Sequence, residues 1–439
     1  MSKPVSRKKP VGGKETDVAA PVKESKVTVP SGVTPVESVS GPEVVKPAVG
    51  VAAEALQLTA AVEPVQQAAG VEPVKAPEPS GIVSGAVPER SVAEPAGSPE
   101  VKITTGVGHM GKVKGLDVGT MNLVGSEQGE DGKIKLKLMR HCFLDIEANS
   151  FTKSMLKKQK VQYAEMGNKV YVLGDSAFEL ANIMNKVVRR PMSDGVISPS
   201  EADALPIFSL LIEAVLGKPD FKGQLCYFSI PADPVDATFN IVYHTSVISG
   251  ALKNLGYSPK PMNEGHAVVF ASLEEKDFTG IGISGGGGMF NVCVSYKTIP
   301  AISFATSRAG DWIDRNVAQV LGIKTTRATA IKEKGININK PANREEEAVC
   351  IYYRNLINYT LVNIKNKFEK AEQMPQFPEA IDIVCAGGSS MIGGFTDVFK
   401  EELKKMTFPI EIADVRMADD PLYATARGCL LAGLSEVEE

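Results

Sequence analysis

Gly280-Ile281-Gly282-Ile283-Ser284-Gly285-Gly286-Gly287-Gly288-Met289-Phe290-Asn291-Val292-Cys293-Val294 is the stretch on which the fold turns. It enters as an apolar strand, reverses through four consecutive glycines and leaves as a second apolar strand. Each glycine costs about 0.5–1 kcal/mol relative to alanine in a regular element. A run of four is explained where backbone must approach a ligand closely, and a phosphate chain is what turn N–H groups grip best. Read alone, the segment is equally a loose hairpin loop.

Two other stretches repeat the theme. Lys112-Val113-Lys114-Gly115-Leu116-Asp117-Val118-Gly119-Thr120 is a short strand whose apolar Leu116 and Val118 face away from Asp117 across the pleat. Gly119 permits a tight reversal and Thr120 adds a hydroxyl. A carboxylate at Asp117 beside phosphates is tolerable only with Mg²⁺ or its waters between them. Ile381-Asp382-Ile383-Val384-Cys385-Ala386-Gly387-Gly388-Ser389-Ser390 is an apolar strand running into paired glycines, with a helix expected from Phe395 to about Lys405. Strand, glycine and helix in that order would aim helix N-terminal amides at an anion or nucleoside. The segment has neither the G-x-G-x-x-G of a dinucleotide site nor the Gly-Lys-Ser/Thr end of a P-loop. Three strand-to-glycine turns in one chain say more than any one of them.

The wider sequence has two textures. Residues 1–100 hold 14 of the 28 prolines, and the first aromatic residue of the 439 is Phe143. Prolines interrupt the valines every few residues, so neither helix nor ladder propagates. Residues 1–108 are therefore expected to form a disordered tail, either a spacer or a docking arm for protein partners. From residue 112 onward short apolar strands alternate with amphipathic helices, enough chain for two α/β domains. Val349, Tyr352, Leu356, Tyr359 or Leu361, Ile364 and Phe368 lie at helical spacing in a helix near 345–372 and read as core. The charged fraction is 23% and the formal net charge −4, so a broad nucleic-acid footprint is not expected. No run of about 20 apolar residues marks a membrane span. The six cysteines and four histidines show no ligand spacing; the cysteines read as buried thiols.

The three turns, in this order, resemble the actin and heat-shock-chaperone ATPase superfamily, and within it the bacterial actins of the MreB and MamK kind. Arg190-Pro191-Met192-Ser193-Asp194-Gly195-Val196-Ile197 resembles an MreB stretch. Val170 to Glu179, Ala309-Gly310-Asp311-Trp312-Ile313-Asp314 and Ala328-Thr329-Ala330-Ile331-Lys332-Glu333 look most like MamK. The closing Asp420-Pro421-Leu422-Tyr423-Ala424-Thr425-Ala426-Arg427-Gly428 is shared across the group.

The resemblance implies a two-lobed α/β fold, each lobe a mixed five-stranded sheet, with ATP or ADP and Mg²⁺ in the cleft. Lobe I would take 109–270, with a small insertion at 146–186 and completion by 420–434. Lobe II would take 271–419, and 435–439 would be a C-terminal tail. Carried over, Asp117 would hold Mg²⁺ through water, and Gly119, Thr120 and Met121 would contact phosphates. Gly285, Gly286, Gly287 and Gly288 would form the second phosphate hairpin. Glu264 would orient the attacking water, a role a carboxylate suits; it is equally a helix N-terminal acid. Gly310 and Asp311 would lie near the nucleotide, Thr329, Lys332 and Glu333 near the ribose and adenine, and Gly387, Gly388 and Ser389 over the adenosine. Lys332 is equally a solvated helix lysine.

The sequence departs from the family in two places. The second hairpin normally opens Asp-x-Gly-Gly-Gly-Thr, but Gly282 or Ser284 stands at the aspartate and Met289 at the threonine. Gly265 stands where a proline follows the catalytic glutamate. A missing carboxylate removes an outer anchor for Mg²⁺ and slows hydrolysis. The implied function is a cytoplasmic, cytoskeletal ATPase that self-assembles into filaments and positions intracellular structures such as magnetosomes. A cell-shape filament and a non-polymerising nucleotide-gated scaffold are the alternatives.

Overall fold

The computed structural model describes residues 80–83, 113–198, 200–201, 203–371 and 374–438. Within the stretch read as a tail, Ser80–Val83 forms a strand, β1; the rest of residues 1–108 lies outside the described residues.

The first sheet begins with β2 (Lys114–Val118), β3 (Asn122–Gln128) and β4 (Ile134–Arg140), an antiparallel meander. A smaller four-stranded sheet follows. It contains β5 (Phe143–Glu147), then α1 (Ser150–Lys158), β6 (Tyr163–Met166), β7 (Lys169–Leu173) and α2 (Gly174–Ile183), in strand order β1-β6-β7-β5. Leu144, Leu156, Val170 and Val172 give it a core of its own, while the lysines at 157, 158 and 160 are exposed, as a solvated face should be.

The chain then makes a two-residue hairpin, β8 (Met192–Ser193) and β9 (Val196–Ile197). Asp194 and Gly195 take φ of 49° and 87° at its tip, the left-handed pair that a tight hairpin requires. Next come α3 (Ala204–Leu216), β10 (Gln224–Ile230), α4 (Ile241–Leu255) and β11 (Tyr257–Asn263). β10 pairs parallel with both β2 and β11, completing the order β11-β10-β2-β3-β4. Ile207, Phe208, Leu211 and Phe228 fill the space between this sheet and its helices.

The second five-stranded sheet follows α5 (Glu264–Ser272). It is built from β12 (Gly280–Gly285), β13 (Phe290–Tyr296) and β14 (Ile299–Thr306), then α6 (Gly310–Leu321), α7 (Thr325–Lys332), α8 (Arg344–Lys370), β15 (Ile381–Ala386), α9 (Phe395–Lys404) and β16 (Ile412–Met417). Its order is β14-β13-β12-β15-β16, again an antiparallel meander extended by parallel strands. Val349, Leu356, Leu361, Ile364 and Phe368 of α8 are buried in its core. The final helix, α10 (Ala424–Glu438), packs on α5 and β2. The segment expected as a tail from residue 435 is its last turn, where Glu436 bonds to Lys260 and Tyr227.

Two glycines explain how tightly these layers close. A Cβ on Gly428 would collide with the Ala267 carbonyl, so α10 lies on α5 at backbone contact. A Cβ on Gly265 would come within 2.7 Å of the Cys293 nitrogen, which accounts for glycine, in place of proline, at the start of α5. All six cysteines are buried and unpaired.

Candidate functional site

The β2–β3 turn is held from below. Ser229 on β10 donates to Asp117 Oδ1 at 2.7 Å and accepts from the Val118 N–H at 2.8 Å. Gly119 closes the turn with its N–H on the Asn122 carbonyl at 3.0 Å, a contact that a side chain at 119 would obstruct. His141 adds its own N–H to the Met121 carbonyl at 2.9 Å.

The β12–β13 turn faces it from the second lobe. Its Gly286 and Gly287 carbonyls accept the first N–H groups of α6, from Gly310 at 3.2 Å and Asp311 at 2.8 Å, and Ser389 also donates to Gly286 at 2.7 Å. These bonds satisfy helix N-terminal donors that would otherwise be orphaned. Gly288 abuts Gly195 so closely that a Cβ would strike the Gly195 nitrogen, and Met289 packs on the same glycine. The tips of the two lobes therefore touch. An Arg315–Asp194 pair at 2.9 Å lies beside the contact.

The third turn carries one element the sequence did not suggest. Gly387 takes φ of 85°, and a short 3-10 turn, Gly388–Met391, precedes α9, which starts at Phe395 as expected. Gly387 backs directly onto Gly285. The amides offered at this wall are those of the 3-10 turn.

The three turns line one cleft of about 520 Å³. Asp117, Gly119, Thr120, Met121 and Glu264 line it, as do Gly286, Gly287 and Gly288, Asp311, Thr329, Lys332, Glu333, Gly387, Gly388 and Ser389. Gly285 and Gly310 do not. A Cβ on Gly285 would meet Phe290 and Ser390, and one on Gly310 would meet Ser389, so both glycines allow close packing behind the wall.

At the cleft floor two carboxylates share one environment. Burial raises Asp117 to about 6 against the Ser229 hydrogen bond. Burial and the Asp117 charge together raise Glu264 to about 8, opposed by hydrogen bonds from Ser284 and Asn291. The pair thus holds one proton near neutral pH, and Glu264 is the group that carries it. Ser284 donates to Glu264 Oε2 at 2.9 Å and lines the cleft, whereas Gly282 packs against the Gly265 carbonyl. Of these two, Ser284 is the one that faces the cleft. Glu264 is both things the sequence allowed: the first residue of α5, capped by Asn263, and a cleft carboxylate.

On the far wall Lys332 is no solvated lysine. Its Nζ reaches Asp314 Oδ2 at 2.9 Å and the Gly310 carbonyl at 3.1 Å, and Thr329 donates to the same Asp314 oxygen at 2.8 Å. Asp314, Ser229 and Asn291 were not singled out from sequence. Asp314 was within reach, one helical turn after Gly310. Ser229 was not, because only the β2–β10 register brings it to Asp117.

This donor set fits a magnesium–nucleotide group. Two hard oxygen ligands whose mutual repulsion a cation would relieve lie opposite glycine turns that no Cβ obstructs. Among the described residues no helix is long and apolar enough to cross a membrane.

No curated protein sequence matches the chain significantly. Among solved structures it is similar to a MamK double helical filament, at 19% identity over 73% of this chain and 98% of that one, with a TM-score of 0.57. It is similar also to MreB5 of Spiroplasma citri bound to AMPPNP, at 14% identity over 74% and 97%, with a TM-score of 0.54. A cryo-EM MamK filament gives 20% identity over 74% and 97% and a TM-score of 0.52. At such identities the likeness is one of fold, and the fold is the two-lobed actin-like one. The family model described as Volactin matches residues 112–433, and the chain belongs to that family.

Proposed function

We propose that the protein binds ATP with Mg²⁺ in this cleft and assembles head to tail into cytoplasmic, cytoskeletal filaments whose turnover is set by slow hydrolysis. The observation that carries the reading is the convergence of three glycine turns, far apart in sequence, on one cleft floored by Asp117 and Glu264. Asp117, fixed by Ser229, would hold the metal through water. Bound there, Mg²⁺ would neutralise phosphate charge and lower the proton affinity of the carboxylate pair. Glu264 in its ionised form would orient and deprotonate the attacking water. Ser284 in place of an acid argues for slow turnover, since one outer anchor for the metal is gone.

Assembly is supported by the fold neighbours, two of which are MamK filaments. A heterologous contact whose rotation does not close generates such a polymer. Positioning of an intracellular structure, magnetosomes among them, is the corresponding cellular role, with cell shape as the alternative. Ser284 equally suits a nucleotide-gated scaffold that recruits partners through residues 1–108. Calorimetry with ATP and ADP, with and without Mg²⁺, tests binding; absence of any heat would end the proposal. Pelleting and negative-stain microscopy test assembly, and dispersed monomers with every nucleotide would leave the scaffold.

A further inference from the structure

The cleft is short of positive charge. Among the described residues six acids line it, Asp117, Asp175, Glu264, Asp311, Asp314 and Glu333, against two cations, Arg140 and Lys332. Lys332 is engaged by the Asp314 carboxylate and the Gly310 carbonyl. A polyphosphate would bring further negative charge, which one Mg²⁺ cancels only in part. Arg140 is the cation left to meet it, and the function proposed above gives it no role.

Strand register places this residue. Asp117 on β2 pairs with Val124 on β3, and Val124 pairs with Leu138 on β4. Two residues along, Asn122 pairs with Arg140, the last residue of β4. Positions two apart on paired strands share a face, so Asp117, Val124, Leu138, Asn122 and Arg140 all point one way, and all five line the cleft. Asn122 also supplies the carbonyl that closes the β2–β3 turn. At about 4.8 Å between neighbouring strands, Arg140 stands roughly 10 Å across the sheet from Asp117, a gap that an arginine side chain and a phosphate span between them. Its guanidinium is held but not satisfied. It lies over the Phe178 ring, 4.3 Å from the centroid. Its ion pair, with Asp175 Oδ1, is long at 3.5 Å, and Asp175 is mostly exposed, so the pair contributes little.

We infer that Arg140 grips the terminal phosphate of the ligand, exchanging its loose pair with Asp175 for a two-pronged one. A guanidinium fork matches phosphate oxygens in a way that a single distant carboxylate oxygen does not use. The terminal phosphate is the one that the floor of Asp117 and Glu264 would act on, and Arg140 shares the sheet face of Asp117. Lys332 and Asp314 stand on the second lobe's wall, on α7 and α6. Arg140 therefore reads the number of phosphates and is indifferent to the base. Asp175, the acid it would leave, lies in the first turn of α2, so the exchange also reports the ligand's length to the small sheet.

The inference rests on the phosphate end of the function proposed above and not on adenosine. Calorimetry of the full-length protein in Mg²⁺, with ATP, ADP and inorganic tripolyphosphate, tests it. Arg140→Gln should weaken ATP and tripolyphosphate by about tenfold or more, and ADP by no more than about threefold. Arg140→Lys keeps the charge without the fork and should fall between. Asp175→Asn frees the guanidinium and should tighten ATP by about twofold. Unchanged ATP affinity in Arg140→Gln, or equal losses for ATP and ADP, would overturn the inference while leaving nucleotide binding in place. A loss in Asp175→Asn as large as that in Arg140→Gln would overturn it too, because the pair would then serve only to pin α2. Wild-type protein that ignores both nucleotides but binds tripolyphosphate through Arg140 would end the ATP reading and uphold this one; binding none of the three would end both.

Discussion

Replacing Glu264 with glutamine should make the nucleotide-free protein more stable at neutral pH. A carboxylate raised in the fold from 4.5 to about 8 is a group the folded state prefers protonated. The stability associated with it is complete below the unfolded value and is lost as pH rises through the folded one. At pH 7 the loss is about 1.4 kcal/mol for each of the 2.5 units above 4.5, or about 3 kcal/mol, growing to about 5 kcal/mol above pH 8. Glu264 keeps part of its surface at the cleft, so these are upper bounds. Glutamine fills the same volume and accepts from Ser284 without the charge. For a body of this size about 2 °C per kcal/mol is a fair conversion, giving a rise of about 3–5 °C at pH 7. Thermal denaturation of both proteins from pH 4.5 to 9 would show it. The two Tm curves should be closest at the acid end, diverge with rising pH and run parallel above about pH 8.5. Curves parallel over the whole range would mean that Glu264 and Asp117 do not share a proton, and the account of the cleft floor would fail.

Under the proposed function, single-turnover hydrolysis should rise with pH and level off below the metal-free value of about 8, because only ionised Glu264 can accept a proton and bound Mg²⁺ lowers the pair's proton affinity; a flat profile removes it as the base. Asp117→Ala should weaken Mg²⁺-dependent nucleotide binding and leave metal-free binding nearly unchanged, read by calorimetry in chelator and in Mg²⁺. Ser284→Asp should raise hydrolysis by about tenfold or more and lower the metal-free Tm at pH 8, since it returns an anchor and adds a third negative charge; unchanged turnover would count against the missing acid as the cause of slowness. Gly428→Ala should cost about 3 kcal/mol or more in denaturant unfolding, because the new methyl meets backbone on α5 that cannot step aside.

Glycine runs were the legible part of this site because close backbone approach leaves a mark in sequence. The strands carrying those turns were legible for the same reason, being apolar alternations bounded by glycine. What each glycine approaches was not. Gly285 and Gly310 belong to the same runs as the cleft-lining residues, yet they touch Phe290, Ser390 and Ser389, not the cavity. Lys332 could be read as a solvated lysine because its partner Asp314 lies 18 residues back, on a different helix. The third turn was legible in its strand and in the helix start at Phe395, but not in its 3-10 turn, Gly388–Met391, or in the meeting of Gly387 with Gly285 from another strand.

The same contacts bear on how the two lobes can move. Gly285 against Gly387 and Gly288 against Gly195 are meetings of backbone with backbone, each between segments remote in sequence. Side chains at such points could rotate to absorb a displacement; bare backbone cannot. The first contact lies inside one lobe and makes two of the three turns a single rigid wall. The second lies between lobes, beside an exposed Arg315–Asp194 pair that contributes little on its own. A ligand gripping both β-turns would therefore act on a junction whose nearest point is backbone, with the Met289 and Thr120 side chains as the only cushion beside it. Under the proposed function, small differences in phosphate length would then reach the lobe angle with little damping.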